Sequence, residues 1–165
     1  PPMKQPAKRI PQVRAELDVG ATELVLALLD MDDLIADILS ELQYLALERS
    51  IAIHYMCKRT PPPVKGDVMQ LKRVMANLVH NALNYTPAGG IVQIELSEQP
   101  GHLRVDISDT GPGIPPGDLE NVFNRFHHAG GPRQLMSTGL GLYLSRQIIT
   151  AHRGSLWAEN RTPTG

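Results

Sequence analysis

Two segments joined by a short turn constrain the fold more than any other feature of this chain. Residues 91–98 (IVQIELSE) and 102–108 (HLRVDIS) place apolar side chains at alternate positions, as a strand with one buried face does. The turn between them, around Gln99–Pro100–Gly101, is short enough to make the two strands an antiparallel hairpin. Helices must then cover one face of the resulting sheet.

Three amphipathic segments can supply those helices. The first begins near Asp30, with carboxylates at its start, where the helix dipole favours them. Its apolar residues share one face: Leu34, Ile35, Ile38, Leu39, Leu42 and Leu45. The second runs from Asp67 to about Tyr85, and its apolar side consists of Val68, Leu71, Val74, Met75, Leu78, Val79, Ala82 and Leu83. The third spans residues 139–154.

The order of the elements predicts the fold class. A strand is expected at 51–56, a short helical turn at 118–123 and a last strand at 154–160. Helices and strands mixed in this way, with a hairpin, predict an α+β two-layer sandwich. Its sheet is mixed, mostly antiparallel, and covered on one face by helices.

Composition sets the broad class of protein. The chain has 165 residues, 42% of them hydrophobic, which suits one soluble domain at 26–165. A formal net charge of −1 provides no global attraction for nucleic acid, so no nucleic-acid partner is expected. The single cysteine, Cys57, excludes an internal disulfide and favours a cytoplasmic setting. Residues 1–25 are rich in proline and charge, without an apolar signal region, and are expected to be a linker.

Three asparagines form a stripe on the second helix. Asn77, Asn81 and Asn84 lie at i, i+4 and i+7, opposite the apolar side. By default such a stripe is a solvated helix face. Asparagine is a poor helix former, however, and its amide oxygen is a ligand suited to Mg²⁺ beside substrate phosphates. The stripe is therefore a candidate metal site as well as a candidate surface.

Two glycine-containing segments follow in the chain. After the second hairpin strand, residues 106–116 (DISDTGPGIPP) place Asp109 in a turn. Further on, residues 139–142 (GLGL) open the third helix, where backbone N–H groups can approach a phosphate. This second segment is not a dinucleotide fingerprint, because Leu144 occupies the position of the third glycine. A tight turn into a helix explains it equally well.

Taken in order, four motifs resemble a known family: residues 77–90 (NLVHNALNYTPAGG), 109–114 (DTGPGI), 123–126 (FNRF) and 138–142 (TGLGL). They are similar to the N, G1, F and G2 boxes of the ATP-binding domain of bacterial sensor histidine kinases, which share the GHKL (Bergerat) fold with gyrase B and the Hsp90-like chaperones. The resemblance is dense from about residue 68 to 160. It implies that residues 26–165 are the catalytic domain and that the linker is a remnant of an upstream dimerisation region.

The resemblance implies a role for each motif residue in binding ATP or ADP. Asp109 would accept a hydrogen bond from the adenine amino group, and Asn81 would bind Mg²⁺ with Asn77 as a second contributor. The backbone of Gly111 and Gly113 would approach the base. The remaining nucleotide contacts fall on Asn84, Tyr85, Ile114, Thr138, Gly139, Leu140, Gly141 and Leu142. Phe123 and Phe126 would hold the lid against the core.

The reaction follows from the position of Asn77. Hydrolytic family members have a glutamate there, which activates water, and asparagine has no such basicity. The implied reaction is transfer of the γ-phosphate to a histidine on a separate dimerisation domain. Many members also carry a lysine at the position of Asn84 and an arginine at that of His128, so Arg125 and Arg133 remain as the candidate cations.

The resemblance also leaves alternative functions open and implies partners for the domain. A GHKL-type ATPase or serine kinase, or a degenerate nucleotide-binding or interaction module, stays open as an alternative. The implied partners are the dimerisation domain of the same kinase and a response regulator. The isolated domain is expected to be a cytoplasmic monomer, and a membrane anchor in the parent protein stays open.

Overall fold

A computed structural model describes residues 24–126 and 139–161 of the chain. The elements in order are β1 (Ala27–Leu29), α1 (Met31–Glu48), β2 (Ala52–Cys57), β3 (Val64–Gly66), α2 (Val68–Tyr85), β4 (Ile91–Gln99), β5 (His102–Asp109) and α3 (Gly141–Ala151). Most of the expected linker lies outside the described residues. Within the described ranges, no helix has both the length and the apolarity that crossing a bilayer requires.

The two long helices begin at aspartates that cap them. Asp30 precedes α1, and its side chain accepts a hydrogen bond of 2.8 Å from the Asp32 N–H. Asp67 precedes α2 and accepts one of 3.1 Å from the Gln70 N–H. Each cap satisfies a backbone donor that the helix itself leaves unpaired. The helix starts therefore fall where the sequence places them.

The main sheet has the order β2-β4-β5. β2 pairs with β4 in parallel, so that Ala52 lies opposite Ile91, and β4 pairs with β5 antiparallel, so that Val92 lies opposite Asp109. β1 and β3 form a separate antiparallel pair. The hairpin is confirmed, and so is the mixed sheet: one of its two strand pairings is parallel and the other is antiparallel.

The core lies between one face of this sheet and the helices α1 and α2. Alternate residues of β4 are almost fully buried, and they pack with the apolar faces of both helices: Val92, Ile94, Leu96, Ile35, Ile38, Val79 and Leu83. α3 packs in turn against α2. This arrangement confirms the two-layer sandwich, and it leaves one long side of α2 facing α3.

The expected last strand at 154–160 is wrong. This segment has no assigned strand structure and is held beside β5 by side chains. The Arg104 guanidinium lies 5.5 Å from the centre of the Trp157 ring, and Arg161 Nη1 donates a 3.2 Å hydrogen bond to Ser108 Oγ. Within the described residues, these side-chain contacts hold the segment beside β5 without a backbone ladder.

Candidate functional site

Asp109 ends β5 at the entrance to the turn that follows. Its Oδ1 accepts a 2.7 Å hydrogen bond from the Gly111 N–H, which fixes the carboxylate relative to the turn. Among the described residues, no second donor reaches this carboxylate. Its other oxygen is therefore able to accept a hydrogen bond from a ligand.

The turn after Asp109 lies directly against the carboxyl end of α2. A Cβ atom at buried Gly111 would lie 2.5 Å from Asp109 Oδ1 and 2.9 Å from the Tyr85 carbonyl oxygen, closer than packing allows. Gly113 has a φ of +73°, the left-handed conformation that favours glycine. Both glycines are needed for this path, which brings Asp109 and Tyr85 to the same end of α2. The Tyr85 side chain is 44% exposed at this end.

Asn160 positions the same turn, and no motif in the sequence indicated this role. Its Oδ1 accepts a 2.8 Å hydrogen bond from the Ile114 N–H, and its Nδ2 donates one of 2.6 Å to the Ile114 carbonyl. The two residues are 46 positions apart, and no local pattern links them. Asn160 is thus a positioning residue for the turn that carries Asp109 and Gly113.

Replacing Asn160 with alanine is expected to weaken binding of the adenine nucleotide that the sequence motifs imply by about tenfold, because the turn loses both hydrogen bonds and must be ordered when the ligand binds. Isothermal titration with a non-hydrolysable ATP analogue measures this. Glu159→Ala, an exposed neighbour, is the matched control and should change affinity less than twofold. Equal affinities for wild type and Asn160→Ala would show that the turn is positioned without Asn160.

Asn77 joins α2 to α3. Its Nδ2 donates a 3.0 Å hydrogen bond to Oγ of Ser145, which is 2% exposed. Any side chain at Gly141 would collide with the Asn77 amide, so that glycine is required for the two helices to approach. The structure therefore brings together the N-box residue Asn77 and the G2-box residue Gly141.

The other two asparagines of the stripe have different surroundings. Asn81 is partly buried, and its side chain makes no hydrogen bond with the described residues. Asn84 is exposed, and its Nδ2 donates a 3.0 Å hydrogen bond to His80 Nδ1 one turn earlier. Asn81 is thus available to a ligand, whereas Asn84 is engaged on the helix surface.

The start of α3 is open to an anion. Gly139 precedes it with a φ of +63°, and Leu140 at the N-cap position makes no side-chain hydrogen bond. The first backbone N–H groups of α3, including those of Gly141 and Leu142, thus lack a capping side chain. Such N–H groups and the helix dipole favour a phosphate. Thr138, the remaining residue of this motif, lies outside the described residues.

Stacked guanidinium groups connect the F box to α3. The Arg125 guanidinium lies 5.4 Å from the Phe126 ring centre and 5.6 Å from that of Tyr143. Arg146 lies 5.2 Å from the ring of Phe123, which is buried as expected. Phe126 is 63% exposed, so the expectation that it packs on the core is wrong. Its N–H instead donates a 3.0 Å hydrogen bond to the Gly139 carbonyl. His127, His128 and Arg133 lie outside the described residues.

The side chains around α2 fit Mg²⁺ only together with a phosphate ligand. Among residues 24–126 and 139–161, no three His, Cys, Asp or Glu side chains cluster as a metal site. Asn77 and Asn81 are neutral oxygen ligands, and Mg²⁺ in such sites takes most of its charge balance from substrate phosphates. The unpartnered amide of Asn81 fits that chemistry.

Comparison with known proteins finds histidine kinases among the relatives of this chain. It is 34% identical over 137 residues to the signal transduction histidine-protein kinase/phosphatase MprB of Mycolicibacterium paratuberculosis. This match covers 82% of this chain but 26% of MprB, so the chain spans about a quarter of that relative. A solved mycobacterial sensor histidine kinase MprB is 31% identical, with a TM-score of 0.72, and the match covers 86% of this chain and 89% of that structure.

A second solved structure contains a nucleotide analogue. Full-length ShkA in complex with AMPPNP is 27% identical with a TM-score of 0.77, over 89% of this chain and 31% of ShkA. The family model for histidine kinase-, DNA gyrase B- and HSP90-like ATPases matches residues 66–165, which include α2, the turn after Asp109 and α3. The chain therefore belongs to the family of histidine kinase-, DNA gyrase B- and HSP90-like ATPases.

Proposed function

We propose that this domain binds ATP with Mg²⁺ and donates the γ-phosphate to a histidine on a separate dimerisation domain. One observation carries the proposal: the turn after Asp109 and the start of α3 meet the same helix, α2, at two separate points. The first point is at Tyr85 and the second at Asn77. Eight residues of helix separate them by about 12 Å, a span suited to a base at one end and phosphates at the other.

At the base end, Asp109 selects adenine. Its free carboxylate oxygen accepts a hydrogen bond from the exocyclic amino group, whereas guanine would present a carbonyl oxygen to it. Gly111 and Gly113 keep the backbone close enough for this contact, and Tyr85 and Ile114 are the apolar groups that pack on the base. These residues bind and orient the nucleotide.

At the phosphate end, α3 and the asparagines hold the triphosphate. The uncapped N–H groups of Gly141 and Leu142 donate to phosphate oxygens, and Gly139 and Leu140 shape the approach. Asn81, with Asn77, would hold the Mg²⁺, which neutralises charge on the phosphates when bound.

The acceptor is a histidine rather than water. A hydrolase needs a general base beside the attacking water. Where hydrolytic relatives have a glutamate, this chain has Asn77, which hydrogen-bonds to Ser145. Neither group is basic enough to take a proton from water. Arg125, now stacked on Tyr143, is a candidate cation for the transferring phosphoryl group if it leaves that ring.

The partners and location belong to the same proposal. The acceptor histidine lies on the dimerisation domain of the parent kinase, the phosphoryl group passes on to a response regulator, and the domain acts in the cytoplasm as a monomer when isolated. The relative MprB is named a histidine-protein kinase/phosphatase. That name supports the histidine kinase hypothesis over a serine kinase or a module that only binds other proteins.

Isothermal titration with non-hydrolysable ATP and GTP analogues, with and without Mg²⁺, tests the function. We expect ATP-analogue binding in the micromolar range, or about −8 kcal/mol, strengthened by Mg²⁺. The GTP analogue should bind about 100-fold more weakly, because its carbonyl faces Asp109. Absence of ATP-analogue binding would support an interaction module. Sustained phosphate release from ATP by the isolated domain would support a hydrolase.

A further inference from the structure

A pocket of about 400 Å³ lies between α2 and α3, beyond the asparagines. It is lined by Arg73 and Asn77 from α2 and by Leu140, Gly141, Ser145 and Ile148 at and within α3. Asn77 and Ser145 hydrogen-bond to each other, which leaves Arg73 as the charged group of this lining. The pocket is therefore continuous with the phosphate end of the site and carries one positive charge.

Arg73 has no competing partner within the part of the chain that the structure describes. Its side chain is exposed and forms no ion pair with a described carboxylate. The next residue back, Lys72, is different: it points to α1 and pairs with Glu41 at 2.7 Å. The two cations are adjacent in sequence, but one is neutralised and the other faces the pocket.

The position of Arg73 along α2 defines what it can reach. Arg73 precedes Asn77 by four residues, about 6 Å along the helix axis, and Asn77 precedes Asn81 by the same interval. Asp109 and Tyr85 mark the opposite end of the helix. Arg73 thus lies beyond Asn77 from the proposed base site, within reach of the last phosphate of a triphosphate that extends along α2.

Within the part of the chain that the structure describes, the rest of the phosphate end is short of cations. The asparagines of α2 are neutral, Asn84 is engaged with His80, and the Arg125 guanidinium lies against Phe126 and Tyr143. A transferring phosphoryl group spreads negative charge over its oxygens and needs fixed positive charge near them. A guanidinium can donate two parallel hydrogen bonds to such oxygens.

We infer that Arg73 is a catalytic residue whose guanidinium binds the γ-phosphate, an assignment that rests on the proposed kinase function. In the transfer, the bond from phosphorus to the bridging oxygen of ADP breaks and ADP keeps the electron pair. The unprotonated nitrogen of the acceptor imidazole uses its lone pair to form the bond to phosphorus, and the other ring nitrogen releases its proton to solvent. Arg73 stays protonated throughout and donates hydrogen bonds to the non-bridging oxygens.

Comparison of ATP-analogue and ADP affinities tests this assignment, because only the triphosphate has the group that Arg73 contacts. In titrations with Mg²⁺, Arg73→Gln should weaken ATP-analogue binding about tenfold or more and ADP binding less than twofold. Arg73→Lys should recover part of the loss, since lysine keeps the charge but not the planar fork. Lys72→Gln, which removes the same charge from the other side of α2, should leave both affinities within twofold.

The outcomes separate this inference from the function on which it rests. If Arg73→Gln weakens ATP-analogue and ADP binding equally, or weakens neither, the role of Arg73 is overturned. The kinase proposal then still stands, provided that the wild-type domain binds the ATP analogue and that this binding depends on Asp109. Failure of the wild-type domain to bind any adenine nucleotide would overturn both. Loss of folding in Arg73→Gln, checked by circular dichroism, is not expected for an exposed residue, and Arg73→Lys provides the second variant.

Discussion

Substitution of Asp109 by asparagine is expected to weaken ATP binding about 100-fold, or about 2.7 kcal/mol. The carboxylate has two donors to satisfy, the Gly111 N–H at 2.7 Å and the adenine amino group in the proposed complex. Asparagine offers one acceptor oxygen and one amide nitrogen that can only donate. One of the two donors must then face the NH₂ group, and an unsatisfied donor in a closed site costs its full desolvation.

The same substitution should also reduce the preference for adenine. An NH₂ group at this position can donate to the guanine carbonyl, so the ratio of ATP-analogue to GTP-analogue affinity should fall. Titration calorimetry with both analogues measures the two effects together. Asp106→Asn, on the same strand, is the matched control: it removes the same charge, but its carboxylate pairs with Arg104 at 2.7 Å. We expect less than a twofold effect there, and equal losses in the two variants would contradict a specific role for Asp109.

The long elements could be predicted because their signals are local. The alternation of β4 and β5 and the apolar stripes of α1 and α2 each repeat several times within one element. The capping aspartates add a local chemical marker at each helix start. The strands β1 and β3 have three residues each and pair with one another, so their stability comes from contacts 35 or more residues apart. No local sequence pattern predicts strands of this kind.

Only part of the candidate site could be predicted from the sequence. Asp109, Gly111 and Gly113 stand in a short motif, and the turn that contains them lies against the carboxyl end of α2. Asn160 and Ser145 fasten the same site through contacts with Ile114 and Asn77 that span 46 and 68 positions. Each is an ordinary polar residue until the chain folds. Their roles follow from geometry, and the roles of the motif residues in binding ATP stay predictions until binding is measured.

His152 holds the two helices of the site in register, and its contacts define its chemical form. Its Nε2 accepts a 2.9 Å hydrogen bond from the Asp67 N–H, and its Nδ1 lies 2.8 Å from the Ile148 carbonyl. A carbonyl can only accept and an N–H can only donate, so this imidazole carries its proton on Nδ1. Asp67 meanwhile caps α2 and accepts a 3.0 Å hydrogen bond from the Val25 N–H. The Gln70 and Val25 N–H groups hold the pKa of the Asp67 carboxyl below its usual value.

Replacement of His152 by alanine is therefore expected to lower the free energy of unfolding by about 2 kcal/mol. Asp67 is buried, and its N–H would lose its acceptor without access to bulk water. Denaturant unfolding measures the change, and His102→Ala, an exposed histidine in the β4–β5 turn region, should shift stability by less than about 0.5 kcal/mol. A loss no larger than that of His102→Ala would mean that Asp67 finds another acceptor. A loss of about 2 kcal/mol in the free energy of unfolding, with a parallel loss of ATP affinity, would show that the contact between His152 and Asp67 positions α3 relative to Asn77.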